Sequence, residues 1–245
     1  INKIFFNNFI HYGEFQIDNK TNFINFFKII SQPSNVLDKL TIIEGWSQFQ
    51  LDKELSKYYK NSYSIPYESI IADTYFVNKN KEFQFFKNKL KKVKKKYFNK
   101  NLNNKLLQDY SINEIMIIGS LIEKEGLDEL DKKKISSVIF NRLNNNMKLQ
   151  IDATVLFAIT DGTYKLNRKL LLSDLKKDHP YNTYLYNGLP PSPISYVGKK
   201  TLDVIFQNHS TDFLFYFFDN SLKKHIFSKT FKEHKKKLYE YRNNK

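Results

Sequence analysis

The sequence predicts an α+β protein, and three observations carry that reading. Short alternating or continuous apolar runs lie towards the two ends, FIHYGEFQI and KLTIIEGW early, FLFYFFD and HIFS late, as strands require. Between them run longer stretches with apolar residues at helical spacing, FQFFKNKLKKVKKKYF and INEIMIIGSLIEKEG above all. Hydrophobic residues make up 41% of the 245, and aromatics 16%, enough to bury a substantial core. No internal repeat recurs.

The N-terminal portion reads as alternating strand and helix. Phe9–Ile17 alternates and is expected to be a strand. Thr21 then caps a short amphipathic helix ending at Ile30. Lys39–Trp46 reads as a second strand entering a glycine turn, and a helix follows across Gln50–Tyr59. Ser64–Val77, broken by Pro66, is expected to be irregular or short strand. A basic helix covers Phe83–Phe98, with Phe85, Phe86, Leu90, Val93 and Tyr97 on its apolar side and the lysines as its solvated face. The polar NKNLNNK, Asn99–Lys105, is the candidate linker. Beyond it, INEIMIIGSLIEKEG and DKKKISSVIFNRLNNN read as helices, the first of them buried. Leu149–Ile159 starts polar and ends helix-like. A Gly/Pro-rich connection, Tyr181–Ser195, leads to a helix at GKKTLDVIFQN. FLFYFFD is then a buried strand with HIFS as its hairpin partner, and an amphipathic lysine helix closes the chain.

The formal charge of +15 invites a nucleic-acid reading. Yet of 40 basic residues only Arg142, Arg168 and Arg242 are arginine. Three scattered guanidiniums make a poor set for phosphate or guanine recognition, and no nucleic-acid partner is expected. A basic surface still attracts polyanions. With no cysteine there is no thiolate nucleophile, disulfide or cysteine metal site, which suits an extracytoplasmic compartment. The five histidines are scattered without ligand spacing, so no metal is expected, and no organic cofactor is called for. No segment approaches the roughly 18 uninterrupted apolar residues of a membrane span.

Chemistry is best sought where INEIMIIGSLIEKEG ends, at Glu123 and Glu125. Residues two apart on a helix point roughly 200° from each other, so the two occupy different surroundings. At 100° steps Glu125 joins the apolar side formed by Ile115, Ile118, Leu121 and Ile122. Glu123 falls at the flank beside Met116, Gly119 and Ser120. A break at Gly126 also puts Glu125 at the helix C-terminus, where the macrodipole disfavours negative charge. Burial and dipole both raise a carboxyl pKa, and a carboxyl protonated near neutrality is what a glycosidic leaving group needs. Spacing alone leaves a second reading open, two glutamates decorating a frayed helix end. Gln150, Asp152 and Thr154 stand at period two and would share one side of an extended chain. YNTYLYNGLPPSPIS combines tyrosines, amides and a proline turn. Sugar sites use such a set, aromatic faces for pyranose rings and amides for hydroxyl and acetamido groups.

TIIEGW, ADTYF, GSLIEKEG, SSVIFNRLNNNMKLQIDATVLFAI, YNTYLYNGLPPSPIS and FLFYFFD…HIFSKTFKEH follow one another in the order found in the endolytic murein transglycosylases, the MltG or YceG-like family. The chain resembles that family from about Tyr12 to His234. The resemblance implies a bacterial enzyme that cuts peptidoglycan glycan strands internally and leaves 1,6-anhydro-N-acetylmuramic acid ends. It also implies a single-pass inner-membrane protein with its catalytic part facing the periplasm, partnered by the cell-wall synthesis and elongation machinery. Its membrane anchor would be an N-terminal helix not present in these residues. Residues 1–46 would form a LysM-like subdomain, 47–105 a connecting α+β region with the basic helix, and 106–245 the catalytic domain. The family's catalytic glutamate aligns with Glu125, followed here by Gly126 where Ser, Thr or Ala is more usual; Glu123 is the second candidate. Asn141, Gln150, Asp152, Thr154, Tyr181, Asn182, Thr183, Tyr184, Gly188, Pro190 and Pro191 match family positions and imply substrate positioning or site architecture. The alternative function is a non-catalytic peptidoglycan-binding protein of the same fold.

Overall fold

A computed structural model describes residues 10, 14–32, 36–60, 64–78 and 81–243. Its described elements are α1 (Phe23–Ile30), β1 (Asp38–Thr41), α2 (Gln48–Leu55), β2 (Thr74–Val77), α3 (Phe83–Lys100), α4 (Leu106–Asp109), α5 (Ile112–Glu125), α6 (Glu129–Asn144), α7 (Asp152–Thr160), α8 (Lys199–Phe206), β3 (Phe215–Asp219), β4 (Lys224–Ser228) and α9 (Phe231–Asn243). Two antiparallel pairs, β1 with β2 and β3 with β4, make up its sheets, and the architecture is α+β. None of the described helices is long and apolar enough to cross a membrane.

The helix starts follow their side chains. Ser111 and Glu114 form a reciprocal capping box at α5, Ser111 N–H donating to Glu114 Oε2 at 2.7 Å. Asp128 caps α6 by accepting from Asp131 N–H at 2.9 Å. Asp161 and Gly162, both at positive φ, end α7. At α1 the cap is Asn22 rather than Thr21, because the Asn22 carboxamide oxygen accepts from Asn25 N–H. The strand expected over Phe9–Ile17 falls partly outside the described residues, and Ile10 and 14–17 are not in strand.

The apolar side of α3 differs from expectation at one position. Phe83, Phe86, Leu90 and Phe98 are buried, whereas Phe85 is exposed, its ring under the Lys81 ammonium. Tyr59 explains the rotation of this face, because its ring packs on both Phe83 and Phe86.

The buried residues form one cluster that runs from Leu40 to Phe227, with α5, α6 and α8 packed on one another. α5 is buried continuously from Ile115 to Ile122. It can be so because Gly119 lets another segment come close: a Cβ there would stand 2.7 Å from Val197 Cγ1. Ser120 binds that segment, its Oγ accepting from Ile194 N–H at 3.0 Å and its carbonyl from Ser195 Oγ at 3.2 Å. The same stretch joins the early part of the chain, through Gly45 N–H to Tyr196 O (2.8 Å), Tyr196 N–H to Trp46 O (3.0 Å) and Ala72 N–H to Val197 O (2.7 Å). The gap that the small residues leave on α5 is thus filled by the end of the proline-rich connection.

Candidate active site

α5 ends at Glu125, with Gly126 as C-cap donating its N–H to Ile122 O. Gly126 is at φ −77°, so left-handed backbone is not the reason for a glycine. A Cβ there would stand 2.3 Å from Lys132 Cγ; the Lys132 side chain crosses Gly126 on its way to Glu123. The two glutamates therefore part company.

Glu123 departs from the flanking position expected of it. Its side chain is 3% exposed and pairs with Lys132 Nζ at 2.5 Å. It also accepts from Gly198 N–H at 3.0 Å, while Lys132 donates to Thr201 Oγ1 at 2.8 Å. Glu123 thus fastens α5 to α6 and to the start of α8, and its carboxylate is fully occupied.

Glu125 keeps part of its surface open, yet protein atoms crowd its carboxyl. That desolvation raises its pKa, and the Asp152 carboxylate raises it further. Opposing them are His225, the Ala153 N–H and the Tyr216 hydroxyl, which donates to Glu125 Oε2 at 3.4 Å. Ala153 belongs to the first turn of α7, so Glu125 lies between one helix C-terminus and another's N-terminus. The first disfavours its charge and the second receives it. Such a carboxyl holds a proton readily and is still solvated by fixed donors once the proton leaves.

The surrounding side chains come from three more elements. Asp152 opens α7 and accepts from Tyr184 O–H at 2.6 Å. Burial, then the hydrogen bond to Asp152 and its charge, pushes the Tyr184 phenol well up, and burial does the same for Tyr216. His225 Nδ1 lies 2.8 Å from Asp131 Oδ2, and the His225 ring meets Tyr216 edge to face at 5.3 Å. Asp131 also accepts from Leu127 N–H at 3.0 Å, which fixes the turn just after Glu125. Arg142, buried on α6, donates to the carbonyls of Leu214 (2.7 Å), Leu149 (2.7 Å) and Lys148 (3.2 Å). It ties the start of β3 to the loop before α7, and so sets Tyr216 relative to Asp152.

The other predicted positions lie around this centre. Gln150, Asp152 and Thr154 do not share an extended face, because Asp152 already starts a helix and Gln150 is left-handed at φ 50°. Thr154 is buried, with its Oγ1 2.9 Å from Thr183 Oγ1; Thr183 Oγ1 in turn accepts from Ile151 N–H at 3.0 Å. Gln150 N–H donates to Thr183 O. Asn182 is buried and donates to the carbonyls of Leu175 and Lys177, so these residues hold the YNTY turn against the start of α7. The Tyr181 ring packs on Phe157 at 4.7 Å, and its hydroxyl meets Ser192 Oγ. Gly188 takes φ 82° in the turn before buried Pro190 and exposed Pro191. Asn141 stands apart, donating to Thr211 O and Phe213 O at 2.7 and 2.9 Å. A groove of about 840 Å³ is lined by Asp152, Ala153 and further residues of α7, by Arg168 and Leu170 beyond it, and by Phe49 and Gln50.

The family model described as the YceG-like family matches residues 2–240. The chain belongs to the YceG-like family. Curated relatives include the endolytic murein transglycosylase of Bacillus subtilis (strain 168), 40% identical over 131 residues, which is 54% of this chain and 35% of that protein. Another is the endolytic murein transglycosylase of Streptococcus pneumoniae serotype 2 (strain D39), 31% identical over 143 residues, 56% of this chain and 25% of the relative. The matched parts thus span about a third or less of those relatives' lengths. A crystal structure of a putative yceG-like protein, lmo1499 of Listeria monocytogenes, has a TM-score of 0.67 at 26% identity, covering 93% of this chain and 85% of that one. Within this YceG-like chain, no local motif marks Tyr216, His225 or Asp131 as site residues. A signal existed for the first two: in the hairpin Tyr216 faces Phe227 and Phe218 faces His225. Period-two alternation in FYFFD and KHIFS puts all four on one side.

Proposed function

We propose that this chain is an endolytic murein transglycosylase in which Glu125 acts as general acid and then general base. The observation that carries the proposal is the Glu125 carboxyl itself, desolvated, raised further by the charge of Asp152, which lines the groove, and faced by Tyr216 O–H and Ala153 N–H. The names of the relatives in Bacillus and Streptococcus supply the substrate class, peptidoglycan.

In this mechanism protonated Glu125 gives its proton to the O4 leaving oxygen of N-acetylglucosamine, and the bond from that oxygen to C1 of N-acetylmuramic acid breaks. The muramic C6 hydroxyl oxygen bonds to C1 and its proton returns to Glu125. No water is consumed and the strand ends in a 1,6-anhydro sugar. The nucleophile belongs to the substrate, so a second carboxylate nucleophile is not required, and the gain from intramolecular attack depends on positioning. Tyr216 and Ala153 receive the Glu125 charge between the two proton transfers. Asp152, held by Tyr184, keeps the Glu125 proton in place and faces the cationic centre with negative charge. The same proposal keeps residues 1–46 as a LysM-like glycan-binding unit and places the protein at the bacterial inner membrane, facing the periplasm.

Digestion of purified sacculi followed by mass spectrometry of the muropeptides tests it. Anhydro-muropeptides from the wild-type chain are the expected product, and their absence at high protein concentration leaves only peptidoglycan binding.

A further inference from the structure

Beside Glu125 the groove has a charge imbalance that proton transfer does not use. Its walls carry four cations, Lys124, Lys165, Arg168 and Lys169, against one carboxylate, Asp152. Arg168 is spent on its neighbour, gripping Asp174 with two hydrogen bonds of 2.5 and 2.9 Å. The other three pair with no carboxylate among the described residues. Lys124, between the two glutamates in sequence, makes a long hydrogen bond to Gly45 O at 3.3 Å. Burial pulls its ammonium below the usual lysine range, and the Glu125 charge only partly opposes that. Lys124, Lys165 and Lys169 are all exposed, and three lysines without a paired carboxylate favour an anionic ligand.

The apolar part of the walls narrows the ligand. Phe49 and Tyr164 are each 57% exposed, and Leu156, Leu166 and Leu170 line the same groove as the lysines. A volume of about 840 Å³ exceeds what one sugar ring fills. A short peptide alternating carboxylates with methyl and methylene groups matches both wall types. A phosphate polymer would leave the apolar walls without a partner. A sugar backbone alone would leave the distal lysines without one.

We propose that this groove seats the acidic stem peptide carried by a murein strand, with Lys124, Lys165 and Lys169 holding its carboxylates. The inference rests on the murein reading and narrows it to strands that still bear their peptides.

The test uses the full chain as Glu125→Gln, so that ligands are bound and not cut. Calorimetry compares a murein tetrasaccharide bearing stem peptides with the same tetrasaccharide after amidase removal of the stems. The stem-bearing form should bind about tenfold tighter, the size expected of a few partly exposed ion pairs. That advantage should shrink in high salt, and in Lys165→Gln/Lys169→Gln, whose exposed side chains leave the fold untouched. The ratio of the two affinities is the readout, because a merely structural loss lowers both together. Equal affinities, or an advantage that ignores both salt and the lysine changes, overturn the inference. Wild-type cleavage separates the two levels. Equal cutting of both substrates removes the stem inference alone, whereas no binding and no cutting of either removes the murein reading with it.

Discussion

Replacing Lys132 by methionine removes the partner of a side chain that has almost no access to water. Glu123 is 3% exposed and Lys132 19%, with 2.5 Å between nitrogen and oxygen. After Lys132→Met, Glu123 keeps the Gly198 N–H at 3.0 Å but faces the gap with an uncompensated charge. Breaking a buried pair from one side costs about 3–5 kcal/mol. For a domain of this size that is a fall in Tm of roughly 6–20 °C. Glu123→Gln keeps the shape and still accepts from Gly198 N–H, and Lys132 retains Thr201 Oγ1. Its cost should be about 1–3 kcal/mol, and the double variant should recover most of the Lys132→Met loss. Urea unfolding of the four proteins gives the coupling directly. A Lys132→Met cost under about 1 kcal/mol would refute the reasoning, since the pair would then be as weak as a surface one. So would a Glu123→Gln protein of unchanged stability that had lost its activity, because Glu123 would then belong to the chemistry.

Three further outcomes follow from the same geometry. Asp152→Asn removes a charge that raises the Glu125 pKa, so the alkaline limb of the pH–rate profile should move to lower pH; His225→Gln removes one that lowers it and should move the limb upward. Two shifts in the same direction would contradict the charge assignment. Glu125→Gln should stabilise the fold at neutral pH, because a carboxyl whose folded pKa lies above its unfolded value weakens the native state as pH rises through that window. The stabilisation should vanish below pH 4.5, the ordinary value for this side chain, and thermal melts across pH read it. Thr154→Val strips buried Thr183 Oγ1 of its 2.9 Å partner and should cost about 1–3 kcal/mol in urea unfolding.

What the sequence made legible is what local pattern controls. The α5 helix and its end at Gly126, the small residues that admit Val197, the β3–β4 hairpin and the C-terminal helix all follow from spacing and side-chain chemistry. The departures have non-local causes. A helical wheel describes one helix, so it set Glu123 at the flank without Lys132 or Gly198, which bury it from two other elements. Phe85 turns outward because Tyr59 claims Phe83 and Phe86. The period-two reading of Gln150, Asp152 and Thr154 failed where the backbone changes from left-handed to helical within two residues. Thr154 nonetheless meets Thr183, across 29 residues, as no local rule foretells. Around Glu125, Asp152 and Tyr184 were legible as candidates. Tyr216 and His225 needed the hairpin face to be read together with the end of α5.

The most direct measurement is digestion of sacculi by Glu125→Gln and Glu123→Gln side by side, each shown folded by its melting curve. Glu125→Gln should yield at least about a hundredfold less anhydro-muropeptide than wild type, while Glu123→Gln, once stability is matched, should yield nearly as much. Undiminished product from Glu125→Gln would contradict the role of Glu125 as general acid.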